Sequence, residues 1–459
     1  MQALHLLLGW KRIKEKMIIK LIQPRMQMRP MDTKLKTRMA PSLGLLTVAG
    51  LFEKKHRVIL SNENVEPIDF EEPVDIVGIS VTVDVMPRAV AIARRFRKKG
   101  IPVVAGGIHI TACSQAEEFD ALSIGLAEHT WPDIIADLQA GRLKKVYRCK
   151  EKVSGSEIAS PAYHLIDKRK YLYCNVISTS RGCPFRCDFC YNSSSAYQNI
   201  YVNRPIKDVL SDIKTINKKH VMFIDDNFIG NPGWTRKFVR AIKPLKLKWN
   251  AAVSANIVDM PDLLDEMAES GCQSLFIGFE SLNAKALAGV HKGQNKSDQY
   301  ERLVKALHDR GIMINASFVF GLDEDDVTTF RSTIDWIVSH RIETVTSHIL
   351  TPYPGTALYQ RFLESGRIKD FNLSHYNTAH VVFEPLGMTK QELYQGYLQV
   401  YREVYSFRNI LRRCPKSKKQ WMPYFLFNFF YRKYGKFTEK LCERITYERI
   451  GRIAEKLSY

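Results

Sequence analysis

The sequence has no run of about 18 or more uncharged apolar residues, the length a membrane-crossing helix needs. Its first stretch, Met1–Trp10, carries Leu4, Leu6, Leu7 and Leu8 but lacks a basic start and a small-residue cleavage site, so it does not read as a secretory leader. Met17 opens a better strand, and residues 1–16 read as an extension. Nine cysteines in 459 residues are too few for a disulfide scaffold. With three of them clustered, a reducing cytoplasmic setting is expected. Acidic residues are scarce at both ends. Residues 1–39 hold ten Lys/Arg against Glu15 and Asp32, and residues 406–459 hold fourteen against four Glu. Those excesses, +8 and +10, account for nearly all of the net charge of +20, so the middle of the chain is close to neutral. Basic ends suit an anionic surface, either lipid headgroups or RNA, or serve solubility alone.

What is present is ordinary for a soluble globular protein of two or three domains, with 45% hydrophobic and 25% charged residues. The exception is Arg181-Gly182-Cys183-Pro184-Phe185-Arg186-Cys187-Asp188-Phe189-Cys190-Tyr191-Asn192, where three cysteines stand at a C-x3-C-x2-C spacing. A strand, Val176–Ser180, runs into it, and Gly182 and Pro184 break regularity, so the cysteines lie on a loop at a strand end. Three close thiolates suit a soft metal or an iron–sulfur cluster. A four-iron cluster held by three of them keeps one iron open to a small molecule. The alternatives are a zinc knuckle or three unrelated thiols. Zinc takes a fourth Cys or His in a structural site, and Cys174 and His164 fit no standard zinc pattern.

Residues 17–150 alternate strands (Met17–Ile22, Arg57–Leu60, Val74–Ser80, Val103–Gly107, Ala121–Gly125) with helices (Pro41–Leu51, Met86–Lys99), which predicts a doubly wound, Rossmann-like α/β domain. Gly78, Gly106, Gly107 and Gly125 fall at strand ends, where such sheets bind ligands or simply turn. Residues 151–172 are turn-rich and read as a linker. Residues 173–365 alternate again, with strands at His220–Ile224, Trp249–Ser254, Ser274–Phe279, Met313–Phe320 and Val345–Leu350. With the cysteine-loop strand these make six strand–helix units, a partial (β/α)6 barrel of TIM type. Asp225, Asp226, Asn256, Glu280, Ser281 and Glu324 follow the strand ends, the rim where barrel chemistry sits. Any one of them could instead cap a helix. Residues 366–459 form a basic, aromatic-rich, mostly helical extension with a helix over Gln391–Val404. Its segment Trp421–Tyr434 reads either as a helix packed on the barrel or as an interfacial segment on anionic lipid.

The cysteine motif, with an aromatic before its last cysteine, resembles that of the radical S-adenosylmethionine (SAM) enzymes. The resemblance implies a 4Fe–4S cluster on Cys183, Cys187 and Cys190. It also implies SAM chelated at the open iron, an electron donor of flavodoxin or ferredoxin type, and a 5′-deoxyadenosyl radical that removes hydrogen from substrate. Ser317–Glu324 resembles the family's G-x-I-x-G-x-x-E strand, with Ser317 and Val319 in place of Gly and Ile, which assigns Val319, Gly321 and Glu324 to SAM. Gly278, Glu280 and Ser281 match the ribose- and methionine-facing strand, and Phe189 stands near the adenine. Pro41–Leu45, Asp75–Ser80, Gly106–His109 and the run from Gly125 resemble the cobalamin-binding domain found before many of these cores, which assigns Gly44, Gly78, Ser80, Gly106, Gly107 and Gly125 to cobalamin. Leu126 stands where that family usually has Glu. The D-x-H-x-x-G loop that supplies a lower histidine to cobalt is absent, so cobalamin is expected without one. Glu384–Thr389, the helix and the basic tail resemble the extension of the subfamily that includes hopanoid C-2 methylases.

The resemblance implies an enzyme that methylates an unactivated carbon of a hydrophobic or natural-product substrate, with the cobalamin domain, substrate and SAM cluster stacked in that order. The alternative is radical cyclisation, rearrangement or C–C coupling without methyl transfer. An RNA-modifying methylthiotransferase would want three more cysteines in an N-terminal domain, and only Cys113 and Cys149 precede residue 170. A non-enzymatic cobalamin sensor would not need the cysteine loop. The expected partner is therefore a small or lipid-like molecule rather than nucleic acid. Contact with the inner face of the membrane through the tail is the further option.

Overall fold

A computed structural model describes residues 16–30, 32–114, 116–149, 153–194 and 201–458. Residues 1–15 of the expected extension lie outside them. The described residues divide into two compact units, residues 16–26 with 42–166, and residues 27–41 with 167–194 and 201–458. Residues 27–41 thus group with the second unit rather than with the doubly wound one. Leu35 explains this locally, since it packs with Cys442 and Tyr447 of the C-terminal helices. The C-terminal extension likewise belongs to the same unit as the second sheet.

The first unit is a six-stranded sheet of β1 (Ile18–Gln23), β2 (Arg57–Asn62), β3 (Ile76–Ser80), β4 (Val103–Gly106), β5 (Ala121–Ile124) and β6 (Val146–Arg148), in the order β2-β1-β3-β4-β5-β6. All pairs are parallel. The strands are nearly continuous apolar runs because helices cover both faces. Val77 and Ile79 pack with Ile92 and Phe96 on one side, while Ile76 packs with Trp131 and Ile134 on the other. The helix Met86–Arg97 ends at Gly100, whose φ of 71° is the left-handed conformation that closes a helix. The order is that of flavodoxin-like sheets, in which the direction of winding reverses between β1 and β3 and ligands sit outside the strand C-termini.

In the second unit, β7 (Val176–Ile177), β10 (His220–Phe223), β11 (Lys248–Ser254), β12 (Cys272–Glu280), β13 (Met313–Phe320) and β14 (Thr344–Ile349) form a parallel sheet in the order β14-β13-β12-β11-β10-β7. A small antiparallel pair, β8 (Ser180–Arg181) and β9 (Val202–Asn203), carries the chain out of β7. With β7 and β14 left as edges, the sheet is a partial barrel. Strand register puts Ala252, Phe276 and Asn315 in one row and Gly278, Ser317 and Thr346 in the next, all on one face.

The β14 edge is closed by side chains rather than by another strand. Tyr401 Oη donates to the Ser347 carbonyl (3.0 Å) and accepts from the Ser347 N–H (3.0 Å). Tyr405 Oη does the same at Val345 (2.6 and 3.0 Å). Both tyrosines come from the helix Lys390–Val404 and its C-terminal cap. Four helical residues advance about 6 Å, close to the roughly 6.6 Å of two strand residues, so an i, i+4 pair of tyrosines keeps step with alternate residues of the edge. Beyond it, Tyr424 and Asn428 are buried while Trp421, Met422 and Phe430 are exposed, so the aromatic segment packs along one side and meets solvent along another. Leu426–Lys433 is a π-helix. No helix among the described residues is long and apolar enough to cross a membrane.

Candidate functional site

The cysteine loop is fixed from behind by Asp225. This carboxylate follows β10 and accepts hydrogen bonds from the N–H groups of Thr179 and Ser180 (2.7 Å each). The hydroxyls of Thr179 (2.9 Å), Ser180 (3.0 Å) and Ser178 (3.3 Å) also donate to it. Burial raises its pKa against the pull of those bonds. Asp225 therefore sets the backbone that leads into the cysteines. Its neighbour Asp226 turns outward. Its side chain is exposed, yet desolvation raises its pKa, and a bond from Asn192 and the charge of Arg181 oppose that.

Within the loop, Gly182 adopts φ = 79°, a left-handed turn. Asp188, between the second and third cysteines, bonds His291 Nδ1 (2.9 Å) and accepts from Arg361 Nη1 (2.9 Å), while its N–H donates to the Val290 carbonyl (3.1 Å). Gln294 Nε2 donates to Cys187 Sγ (3.4 Å). Burial pushes the Cys183 thiol up, and pushes Cys190 up to about 12, with Cys187 and Asp226 adding to both. The charge that favours thiolates is Lys292. Its own pKa is raised: burial opposes the ammonium, but Glu280, Cys187 and Cys190 outweigh burial. Lys292 Nζ also lies 5.6 Å from the centre of the Phe189 ring.

No three His, Cys, Asp or Glu side chains among the described residues lie close enough to ligate one metal ion. Yet Cys190 feels the charge of both Cys187 and Cys183. A polynuclear cluster does not need its ligands around one ion, since each thiolate binds its own iron. A soft all-thiolate donor set beside a buried ammonium fits an iron–sulfur group.

The other expected residues of this unit fall around strand ends. Glu280 closes β12 in a left-handed conformation, φ = 65°, where the register shifts between Gly278 and Glu280. A Cβ on Gly278 would run into the Glu280 carboxylate. Asn295 Nδ2 and Tyr300 Oη hold the bulge through the carbonyls of Gly278 and Phe279 (2.6 and 2.7 Å). Ser281 accepts from the Asn283 N–H (3.0 Å), the capping use open to any serine after a strand. Asn256 accepts from Ser254 Oγ (2.6 Å), which accepts in turn from Asn227 (3.0 Å). Val319 is buried on β13, and Gly321 follows with φ = 95°. Glu324 is exposed. The buried carboxylate here is Asp325, which accepts from the N–H groups of Gly321 (2.9 Å) and Leu322 (3.0 Å).

In the first unit Ser80, Gly106, Gly107 and Gly125 gather at the C-terminal ends of β3, β4 and β5. Gly107 (φ = 102°) leaves no room for a Cβ, which would stand 2.8 Å from the Val81 backbone. Gly125 has φ = 88°, and its N–H donates to Thr111 Oγ1 (3.0 Å). Gly78 is set apart from that rim: a Cβ there would stand 2.6 Å from the Trp131 ring, so this glycine makes room in the core. Gly44 lies on an exposed helical turn with open space around it. His109 is buried, and burial lowers its pKa to about 4.

Sequence reasoning missed Lys292, Gln294, Asn295 and Asp325. The run Lys292–Asn295 carried no usable signal, since Lys292 is one of three lysines, with Lys285 and Lys296, in the segment after Glu280. Nothing local connects it to cysteines about a hundred positions earlier.

The profile of the radical SAM superfamily matches residues 177–337, and one described as a domain of unknown function (DUF4070) matches residues 356–433. The chain is 30% identical over 408 residues to the bacteriochlorophyllide d C-12(1)-methyltransferase of Chlorobaculum tepidum, covering 85% of this chain and 89% of that protein. It is 26% identical to the hopanoid C-2 methylase of Rhodopseudomonas palustris, covering 72% and 65%. Among solved structures, the radical SAM methyltransferase TsrM of Kitasatospora setae, with cobalamin and a [4Fe–4S] cluster bound, superimposes with a TM-score of 0.57 at 18% identity, over 76% of this chain and 78% of that one. The cobalamin-dependent radical SAM enzyme OxsB with aqua-cobalamin gives 0.56 at 18% identity, over 76% and 56%. The chain belongs to the radical SAM superfamily of enzymes, within the group that holds these methyltransferases.

Proposed function

We propose that the chain transfers a methyl group to an unactivated carbon of a hydrophobic substrate, using cobalamin as well as a SAM-bound cluster. The observation that carries this is the likeness to a methyltransferase along nearly the whole of that relative's length. Cobalamin is supported by the fold shared with proteins solved with it, and by the glycine-lined rim at the ends of β3, β4 and β5. When bound, the cluster and SAM supply hydrogen abstraction and the cobalamin supplies the methyl group. Cys183, Cys187 and Cys190 would hold the cluster, with Asp225 and Asp188 fixing their loop and Lys292 placing positive charge beside the thiolates. A small-molecule substrate, a flavodoxin- or ferredoxin-type reductant and a cytoplasmic setting complete the proposal.

Anaerobic reconstitution with iron, sulfide and cobalamin, followed by product analysis with SAM and a reductant, tests it. S-adenosylhomocysteine appearing beside 5′-deoxyadenosine is expected. Failure to retain cobalamin overturns methyl transfer by this route, and 5′-deoxyadenosine formation surviving Cys183→Ala overturns the radical chemistry. Deoxyadenosine alone favours the second reading, cyclisation. That reading is supported by 23% identity over 350 residues to the anaerobic magnesium-protoporphyrin IX monomethyl ester cyclase of Rubrivivax gelatinosus.

Peripheral membrane contact is supported by a separate feature. Phe407, Leu411, Trp421, Phe430 and Phe437 are exposed in a segment rich in Lys and Arg. Flotation with anionic liposomes is expected and should fail in a Leu411→Asp/Phe437→Asp variant. Equal flotation of the two overturns it.

A further inference from the structure

Against the closed edge of β14 lies a cavity of about 440 Å³ whose lining includes Tyr401, Tyr405, Arg402, Arg432 and Lys433. Among the described residues the lining has three cations and no carboxylate. Arg432, at the end of the π-helix, sits among aromatic rings, with its guanidinium carbon 5.2–5.6 Å from the centres of Tyr401, Tyr405, Phe427 and Tyr431. Its hydrogen bonding is far from complete. Nη2 reaches Thr346 Oγ1 at 3.4 Å, and Nε is shut off from solvent with no partner among the described residues.

The surplus charge extends behind it. Asp32 is shared by Arg29 (2.9 Å) and Lys36 (2.8 Å), so two more cations have one carboxylate between them. Two neighbours register that charge, while the tyrosines and Asp32 favour the Arg432 cation itself against burial. The pKa of Lys36 is lowered by burial and then by Arg29, and His348 is lowered to about 3 by burial, Arg29, Lys36 and Arg432. A half-buried guanidinium with an unbonded Nε in a cationic wall is open to completion by an anion. Its planar fork matches a carboxylate, and the flanking rings match a flat apolar body.

We propose that this cavity binds the carboxylate of a flat, apolar molecule through Arg432. That the molecule is a substrate rests on the enzymatic reading above; that it binds does not, and is tested without turnover.

The probe is 1-pyrenebutyrate, titrated by fluorescence into the full chain, with neutral 1-pyrenebutanol as control. The acid is expected to bind about tenfold more tightly than the alcohol, the scale of a charge-assisted hydrogen bond. Arg432→Gln should abolish that preference, and Arg432→Lys should keep part of it. A guanidinium that only braces the π-helix would leave acid and alcohol bound alike. Equal binding to the native chain, or an unchanged preference in a folded Arg432→Gln variant, overturns the proposal. So does displacement of the acid by equimolar inorganic phosphate, which would mark a site for free oxyanions. Should Arg432→Gln fail to fold, Arg402→Gln decides: a reduced preference supports the site and an unchanged one overturns it.

Discussion

Lys292 Nζ stands 2.9 Å from Glu280 Oε1, and the two side chains are only 12% and 9% exposed. The pair thus joins the segment nearest the thiols to a left-handed turn of β12.

Breaking it from one side strands a buried carboxylate. Lys292→Met is expected to lower the unfolding free energy by about 3 kcal/mol, read as a lower urea midpoint at unchanged slope. Adding Glu280→Gln should restore most of the loss. A double variant as unstable as the sum of the singles would show that the two do not act as a pair.

The loop anchor can be tested through thiol reactivity. Cys187 is buried, and Asp188 beside it is held by His291 and Arg361. In Asp188→Ala, iodoacetamide labelling of Cys187 in the metal-free chain should accelerate by about tenfold, the effect of losing 1–2 kcal/mol of local stability. Mass spectrometry of the labelled peptide reads it, and an unchanged rate argues that the loop is held elsewhere.

Asp325 makes stability depend on pH. Burial pushes its carboxyl up to about 7, against the hydrogen bonds from Leu322 and Gly321. The folded chain therefore holds this proton more tightly than the unfolded chain, whose aspartate titrates near 4. Its contribution is fully present below about pH 4 and is lost as pH rises toward 7, by about 4 kcal/mol at most. Asp325→Asn should show a smaller decline in Tm between pH 5 and pH 8 than the native chain. Parallel declines would place the carboxyl's pKa in the ordinary range.

Much of this was legible beforehand, for identifiable reasons. β3 and β4 are nearly unbroken apolar runs, and the three cysteines announce themselves because their spacing is local. β6 was missed: it has three residues, of which only Tyr147 is buried, so periodicity had nothing to detect. The first barrel strand was read too long. Its end leaves the sheet at Ser178 and re-pairs with β9 because Asp225 captures the Thr179 and Ser180 amides. The missed contacts to the cysteine loop are long-range, His291 lying 103 positions from Asp188 and Gln294 lying 107 from Cys187. Composition showed that the tail was aromatic but not that its tyrosines hydrogen-bond to backbone.

That tyrosine pairing is itself testable. Tyr401→Phe and Tyr405→Phe each leave one N–H and one carbonyl of β14 without a partner. Each should cost about 1–3 kcal/mol and speed amide exchange at Ser347 or Val345 respectively. Exchange unchanged at those two amides would mean that the edge is protected without the hydroxyls.

In hydrogen-bond terms the helix after Thr389 does the work of one more strand. A parallel edge left bare would recruit another chain, so the extension acts as a built-in guard against polymerisation. A fragment ending near residue 365, where composition changes, should therefore associate through β14 rather than stay monomeric.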